Sequence, residues 1–499
     1  SISADGAVSV SQGKTLDAGG GDITLDSGAG ITADGSTSGV LDADYLSLTA
    51  AGQVAVRDND SLTLSGLTQN SAGADVSVTA ANALTLDSGV SLNGGTLTLD
   101  ADGGDLSMNK DSSLDAGPGN VVLEAANDVL LSSITVSGDN TVSITSQGGT
   151  ITAPEPGTAV TATSGTLNLS ADQGIGLGNG LGTDVASLSA SINSSGNILI
   201  DENNAITLED ITQGGSGSIS IDAGGALIVD NGAGISSNSG DVSLHADGAS
   251  GGLTLNSPLT TTGGNVDLTA DNGDILLSGG AVQSGSGDID ILASEGSVKT
   301  SRTGWTVGEA VNPDLNTSGT VSITALNKVG EAEPGERISS KSLVVDADYL
   351  FTRSLGNEPV HVILTVDASL GEADADSPLI VGGGRFVGLD KELSVEDMII
   401  GNGQDLELIA KDIAVNEAVQ NQDGSLAVAT YGADGTIMLG DQLNASGLQL
   451  DQAELDRLAG GFDTLVLGGT GGGYQVRLGD PDNADSELDL ADPLQIFND

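Results

Sequence analysis

Residues 81–108 read ANALTLDSGVSLNGGTLTLDADGGDLSM. One small phrase, two apolar residues flanking a small polar one, recurs there, as in Leu84-Thr85-Leu86, Leu97-Thr98-Leu99 and Leu106-Ser107-Met108. Gly, Asp, Asn and Ser fill the gaps. The alternation has period 2, which suits a strand, and the frequent Gly would weaken a helix. In a strand both apolar residues of a phrase enter one face while Thr or Ser faces water.

The same triplet begins at Val54, Leu62, Val76, Leu84, Leu97, Leu106, Val121, Val129 and Val142, at spacings of 8, 14, 8, 13, 9, 15, 8 and 13. A short step alternates with a long one, and each pair covers 21 to 24 residues. The rhythm resumes at Ile198, Ile206, Ile219, Leu227, Val242, Leu253, Val266, Ile275 and Ile289. Within the long steps a third apolar position recurs: Leu67, Leu92, Leu114, Ile134, then Ile211, Ile235, Leu259 and Val282. Three short strands per 21–24 residues describe one coil of a three-sided parallel β-solenoid, an all-β fold with self-similarity at a fixed period. Coils would stack about 4.8 Å apart, so about fourteen coils over residues 1–300 would span roughly 65 Å. An antiparallel sandwich or barrel is the competing architecture, since it also has short strands with regular turns. It has no reason to keep a constant 21–24-residue sum.

Composition agrees with a narrow, uniform core. Aromatic residues are 2% of the 499, while hydrophobic residues are 38%, so small aliphatics carry the burial that rings supply elsewhere. The formal charge of −56 makes nucleic acid and anionic lipid poor partners. Asp outnumbers Glu by 53 to 17, and Asp suits tight turns, so the acidity reads first as turn chemistry. With no Cys, disulfides, thiolate catalysis and zinc-thiolate sites are absent. No run approaches the roughly 20 apolar residues of a membrane helix, so no membrane insertion is expected. The chain opens SISADGAVSV, with no Met and no basic-then-apolar signal segment, and reads as a processed or excised piece.

Near residue 300 the composition shifts. Residues 1–300 hold four basic residues (Lys14, Arg57, Lys110, Lys299) and one aromatic, Tyr45. The other ten basic residues and all other aromatics follow, among them Trp305, Phe351, Phe386, Phe462 and Tyr474. The expected organisation is regular coils over 1–300 and an irregular solenoid section with insertions over 301–499, a cap or assembly region. LDQAELDRLAGGF (450–462) reads as one short helix with Ala453, Leu455 and Leu458 on related turns, stopped by Gly460-Gly461.

The phrases GGDITLDSGAGITADG, LSLTAAGQVAVRDNDSLTLSGL, VSVTAANALTLDSG and GGNVDLTADNGDILLSGGAV resemble the coils of filamentous-haemagglutinin-type proteins, the exoproteins of bacterial two-partner secretion. The resemblance covers residues 1–300, and LDRLAGGFDTLVLGG resembles a segment near the ends of such repeat blocks. It implies a right-handed parallel β-helix, export through an outer-membrane secretion partner, and a surface-exposed or released molecule. The family's N-terminal secretion domain is not recognisable here, and no catalytic motif carries over.

Polysaccharide-degrading enzymes also use right-handed β-helices, and Arg385 near Asp390 and Lys391 is the one cluster to inspect for such chemistry. A solvated loop is the plainer reading, and no enzymatic activity is expected. GDPDNADSELD (479–489) sets Asp480, Asp482, Asn483 and Asp485 close together, hard oxygen ligands suited to calcium, although Ala484 breaks the EF-hand pattern. An ordinary Asp turn is the alternative, as it is for Asp58 and Asp60 in RDNDS. His245 and His361 lie far apart, and His245 reads as a surface strand or turn residue. Trp305 reads as packing where the solenoid changes section rather than as a sugar platform. LGGTGGGYQVRLG lacks the lysine of a phosphate loop, and no Arg-Gly-Asp occurs. The expected function is an extracellular structural or adhesive rod of a bacterial surface protein. The alternative is a protomer that stacks head to tail into a filament or sheath. Expected partners are other copies of the chain, or cell-surface and matrix glycans or proteins, with no required cofactor beyond the calcium candidate.

Overall fold

The computed structural model describes residues 1–300 apart from 37–38, 177, 179, 250 and 279–281, and beyond 300 the strands, helix and turns named below. The chain divides into two compact units, Ser1–Gly248 and Ala249–Asp499, and each is a β-solenoid built from parallel strand pairs.

In the first unit the opening phrase decides the register. Leu84-Thr85-Leu86 pairs with Leu62-Thr63-Leu64 before it and Leu106-Ser107-Met108 after it, all in parallel. Leu97–Ala101 belongs to the adjacent ladder, between Val76–Ala80 and Val121–Ala125. Val90–Leu92, inside the long step, forms the third side and pairs toward Leu67 and Leu114. Following one ladder from Leu62 through Leu84, Leu106, Val129, Ile151, Ile175, Ile198 and Ile219 to Val242, paired positions recur every 21 to 24 residues. Strand alternation sorts the side chains as expected: Leu84, Leu86, Leu97, Leu99 and Leu106 are fully buried, while Thr85, Thr98 and Ser107 are half-buried and face outward. Leu67, Leu92, Leu114, Ile134, Ile211 and Ile235 are buried too, so the third apolar position is a third wall of the core.

The coils are closed by polar devices of short reach. Asp17, Asp34 and Asp115 accept from the amide two residues on, forming Asx turns. A second set of Asp and Asn couples one coil to the next. Asp75 accepts from Thr96 N (2.8 Å), Asn120 from Thr141 N (2.9 Å), Asp128 from Thr150 N (2.7 Å) and Asn197 from Ser218 N (2.9 Å). At inward corners Ser146 and Ser237 accept from the glycine amide three residues on, and Ser27 donates to the carbonyl of Gly30. Part of the acidity therefore satisfies backbone groups at turns. Replacing Asp128 with Ala removes the acceptor of both Thr150 N and Thr150 Oγ1 (2.9 Å) and should lower stability by about 1–2 kcal/mol in denaturant titration.

In the second unit the ladder runs through Val266–Ala270, Ile289–Ala293, Thr320–Ala325, Ser342–Asp346, Val360–Leu364, Gly384–Val387, Leu406–Ala410, Ser425–Thr430 and Thr464–Leu467. Its steps are uneven. Ile289 pairs with Val321, 32 positions on, and Val428 with Leu467, 39 positions on, against 22 from Val321 to Leu343. Two smaller parallel sheets are Leu379–Val381/Met398–Ile400/Val419–Gln420 and Leu448–Leu450/Thr436–Leu439/Gln475–Leu478, and the second carries part of the extra chain between Val428 and Leu467. Phe386 and Phe462 are buried here, so rings take core positions that the first unit fills with aliphatics.

The helix occupies Gln452–Leu458. Asp451 Oδ1 accepts from Glu454 N (2.8 Å) and Glu454 Oε2 accepts from Asp451 N (2.9 Å), a reciprocal capping box. Leu455 and Leu458 are buried but Ala453 is exposed, because a single seven-residue helix buries only the i, i+3 stripe. Arg457 Nη1 donates to Val415 O at 2.8 Å and Glu454 Oε1 accepts from Val415 N at 3.1 Å, tying the helix to strand Asp412–Val415.

Candidate functional surface

Outward side chains on parallel strands in register form rows along the stacking direction. In the first unit one row runs Arg57, Thr79, Asp100, Glu124, Thr145, Ser170, Ser191, Thr212 and Ser236. Its early part is charged. Arg57 reaches past the adjoining coil to Asp102 at 2.5 Å, and burial, with Asp102 and Glu124 adding repulsion, holds the Asp100 carboxyl above its ordinary value against the pull of Arg57. Lys110 pairs with Glu155 at 3.1 Å, and in the second unit Lys299 pairs with Asp274 at 2.5 Å. Exposed pairs such as Lys110–Glu155 add little stability. His245 lies on the outward face of strand Val242–Ala246, 3.0 Å from its register partner Asp222, as the sequence suggested for a surface residue.

The later part of the face is neutral. Strands Thr141–Ser146, Thr166–Ala171 and Ser187–Ile192 contain no charged residue. They set three outward rows side by side: Thr141/Thr166/Ser187, Ser143/Asn168/Ser189 and Thr145/Ser170/Ser191. The next strand, Ile206–Gln213, shifts register between Leu208 and Asp210, so that Glu209 is an extra residue opposite Leu188-Ser189. Beside this bulge lies an open concavity of about 380 Å³, lined by the second and third of these rows, the strand residues between them, and Asp210.

Two carboxylates point the other way. Asp58 and Glu202 are buried in inward corner positions that Ala fills in neighbouring coils, Ala80 beside Asp58 and Ala223 beside Glu202. Asp58 accepts from Ala43 N (3.0 Å) and Asp60 N (3.1 Å). Glu202 accepts from Thr183 Oγ1 (2.7 Å), Val185 N (3.1 Å) and Asn204 N (3.1 Å). Burial pushes both carboxyls above their ordinary values, opposed by the hydrogen bonds each accepts. These groups brace the core. Asp58, half of the RDNDS turn, has its oxygens committed to backbone amides.

A raised folded-state pKa means that folding favours the protonated form. That stabilisation is fully present below the ordinary carboxylate range and is lost as pH rises through the raised value. Asp58, Asp100 and Glu202 in the first unit, and Asp290 in the second, all carry this sign, with burial as the leading cause. Repulsion within the −56 chain relaxes in the same direction. The melting temperature should therefore be higher at pH 5 than at pH 7, and the difference should shrink in Asp58→Asn/Glu202→Gln. An equal difference in that variant would show that these two groups do not contribute.

Of the residues singled out from sequence, Asp480, Asp482, Asn483 and Asp485 lie outside the described residues, as do Trp305, Asp390 and Lys391. Arg385 sits in strand Gly384–Val387, with His361 as its register partner on one side and Glu407 on the other. The neutral lattice and the buried carboxylates are the features that sequence reading missed. No helix among the described residues is long and apolar enough to cross a membrane. Comparisons with family models, with curated proteins and with solved structures give no match.

Proposed function

We propose that the chain is an extracellular structural and adhesive shaft of a bacterial surface protein, whose coils extend reach and whose outward rows present binding groups. The observation that carries this reading is the parallel ladder in each unit, whose coils in the first unit repeat the same small aliphatic core. Such a stack converts chain length into extension, because each coil adds its rise and contacts only its neighbours. The acidic exterior keeps such a surface soluble. The filamentous-haemagglutinin-like coil phrases support the location, and with it export through an outer-membrane partner.

Two measurements test the reading. Antibody raised against the folded chain should label intact, unpermeabilised producer cells or their medium, and labelling confined to permeabilised cells would contradict it. Electron microscopy of the purified protein should show separate particles. Long polymers would favour the head-to-tail filament protomer instead.

A further inference from the structure

We propose that the neutral lattice on strands Thr141–Ser146, Thr166–Ala171 and Ser187–Ile192 is a binding face for an uncharged, extended polysaccharide lying along the stacking direction. This names a ligand for the adhesive shaft and rests on that reading for where the ligand is met.

Three observations converge on this face. The first is charge: in a chain of net −56, residues 156–200 hold only Asp172 and Asp184. An anionic glycan or nucleic acid gains nothing from a lattice without cations, whereas a neutral chain pays no repulsion there. The second is hydrogen-bonding capacity. Thr166 Oγ1 and Ser187 Oγ bond each other at 2.8 Å, and Ser189 Oγ donates to Glu209 at 3.4 Å. Among the described residues Ser143, Thr145, Asn168, Ser170 and Ser191 have no side-chain hydrogen-bond partner, and all are half-buried on the floor of the concavity. Hydroxyls and a carboxamide offer donors and acceptors together, which is what sugar hydroxyls require.

The third observation is spacing. Register places equivalent groups one coil apart, about 4.8 Å, comparable to the advance per residue of an extended β-linked glycan, so successive sugars meet successive coils. The bulge at Glu209-Asp210 ends the flat rows and gives the face a rim, with exposed Asp210 on it. No aromatic platform is present among the lining residues, so each contact is weak and binding accumulates by repetition along the polymer.

The test is native affinity electrophoresis of the full chain in gels containing hydroxyethylcellulose, mixed-linkage β-glucan or xylan, with alginate and heparin as anionic comparisons. Retardation is expected with at least one neutral glycan and with neither anionic one. Asn168→Ala/Ser189→Ala should weaken it by about tenfold, the worth of one or two hydrogen bonds. Thr79→Ala, in the row but away from the concavity, should leave it unchanged. Both variants change outward residues, and an unaltered melting temperature confirms that the solenoid is intact. No retardation by any neutral glycan, retardation by the anionic ones alone, or equal retardation of the folded double variant would each overturn the proposal. Retardation in a protein that antibodies find only inside cells would overturn the surface reading and leave the binding face standing.

Discussion

Replacing Leu99 with Asp should destabilise the first unit by about 4 kcal/mol or more, enough to abolish a cooperative melt in a marginal domain. Leu99 is fully buried, and its register partners are Val78 below and Leu123 above. A carboxylate there meets only aliphatic neighbours and has no route to solvent within its own strand. Thr98→Lys is the matched control. Thr98 faces outward between Ser77 and Val122, and a lysine stem can lie along that surface with its ammonium in water. Its expected change is within about 0.5 kcal/mol in denaturant titration. Equal losses in the two variants would mean that inward and outward faces have been exchanged.

Gly217→Ala is the second large effect, and it acts through backbone proximity rather than polarity. A Cβ at Gly217 would stand 1.7 Å from the carbonyl oxygen of Gly196 one coil below, and a Cβ at Gly240 would stand 1.9 Å from that of Gly217. The corner is thus a column of stacked glycines in which each coil leaves no room for a methyl group on the next. One methyl forces the coils apart at that corner, and the expected cost is about 3 kcal/mol, at the upper end of overpacking effects. Gly66 is the control: its Cβ would meet nothing within 4 Å, so Gly66→Ala should be nearly neutral. Urea midpoints of the two variants decide it, and a Gly217→Ala midpoint equal to wild type would contradict the stacked corner.

The coil repeat was legible because large aliphatics mark it. Leu84, Leu97 and Leu106 announce their strands, and the third position at Leu67, Leu92 or Leu114 completes the coil. The triplet rhythm lapses between Val142 and Ile198. There the structure has long strands, Thr158–Ala171 and Leu181–Ile192, that turn corners without a break. Their inward positions include Ala162, Thr183 and Ala190, which are buried but too small or too polar to stand out. The neutral lattice lies on this same stretch and was missed with it.

The polar chemistry was harder to read for a different reason. The bond from Asp128 to Thr150, or from Asn197 to Ser218, joins residues 21 or 22 positions apart and exists only once coils stack. A signal was nevertheless present: Asp75-Val76, Asn120-Val121 and Asn197-Ile198 each put Asp or Asn directly before an inward residue at the start of a strand. Asp58 and Glu202 gave no such signal. Their burial depends on neighbouring coils supplying Ala80 and Ala223, which leave space for a longer side chain.

The most direct test of coil stacking uses the chain's lack of cysteine. Thr85 and Ser107 are register partners in adjacent coils, about 4.8 Å apart at Cα, within the range a disulfide spans. Thr85→Cys/Ser107→Cys should form an intramolecular disulfide under mild oxidation, identified by mass spectrometry of the linked peptides. Thr85→Cys/Thr98→Cys, closer in sequence but on different ladders, should not. Cross-linking of the second pair in preference to the first would contradict the parallel stack and everything proposed from it.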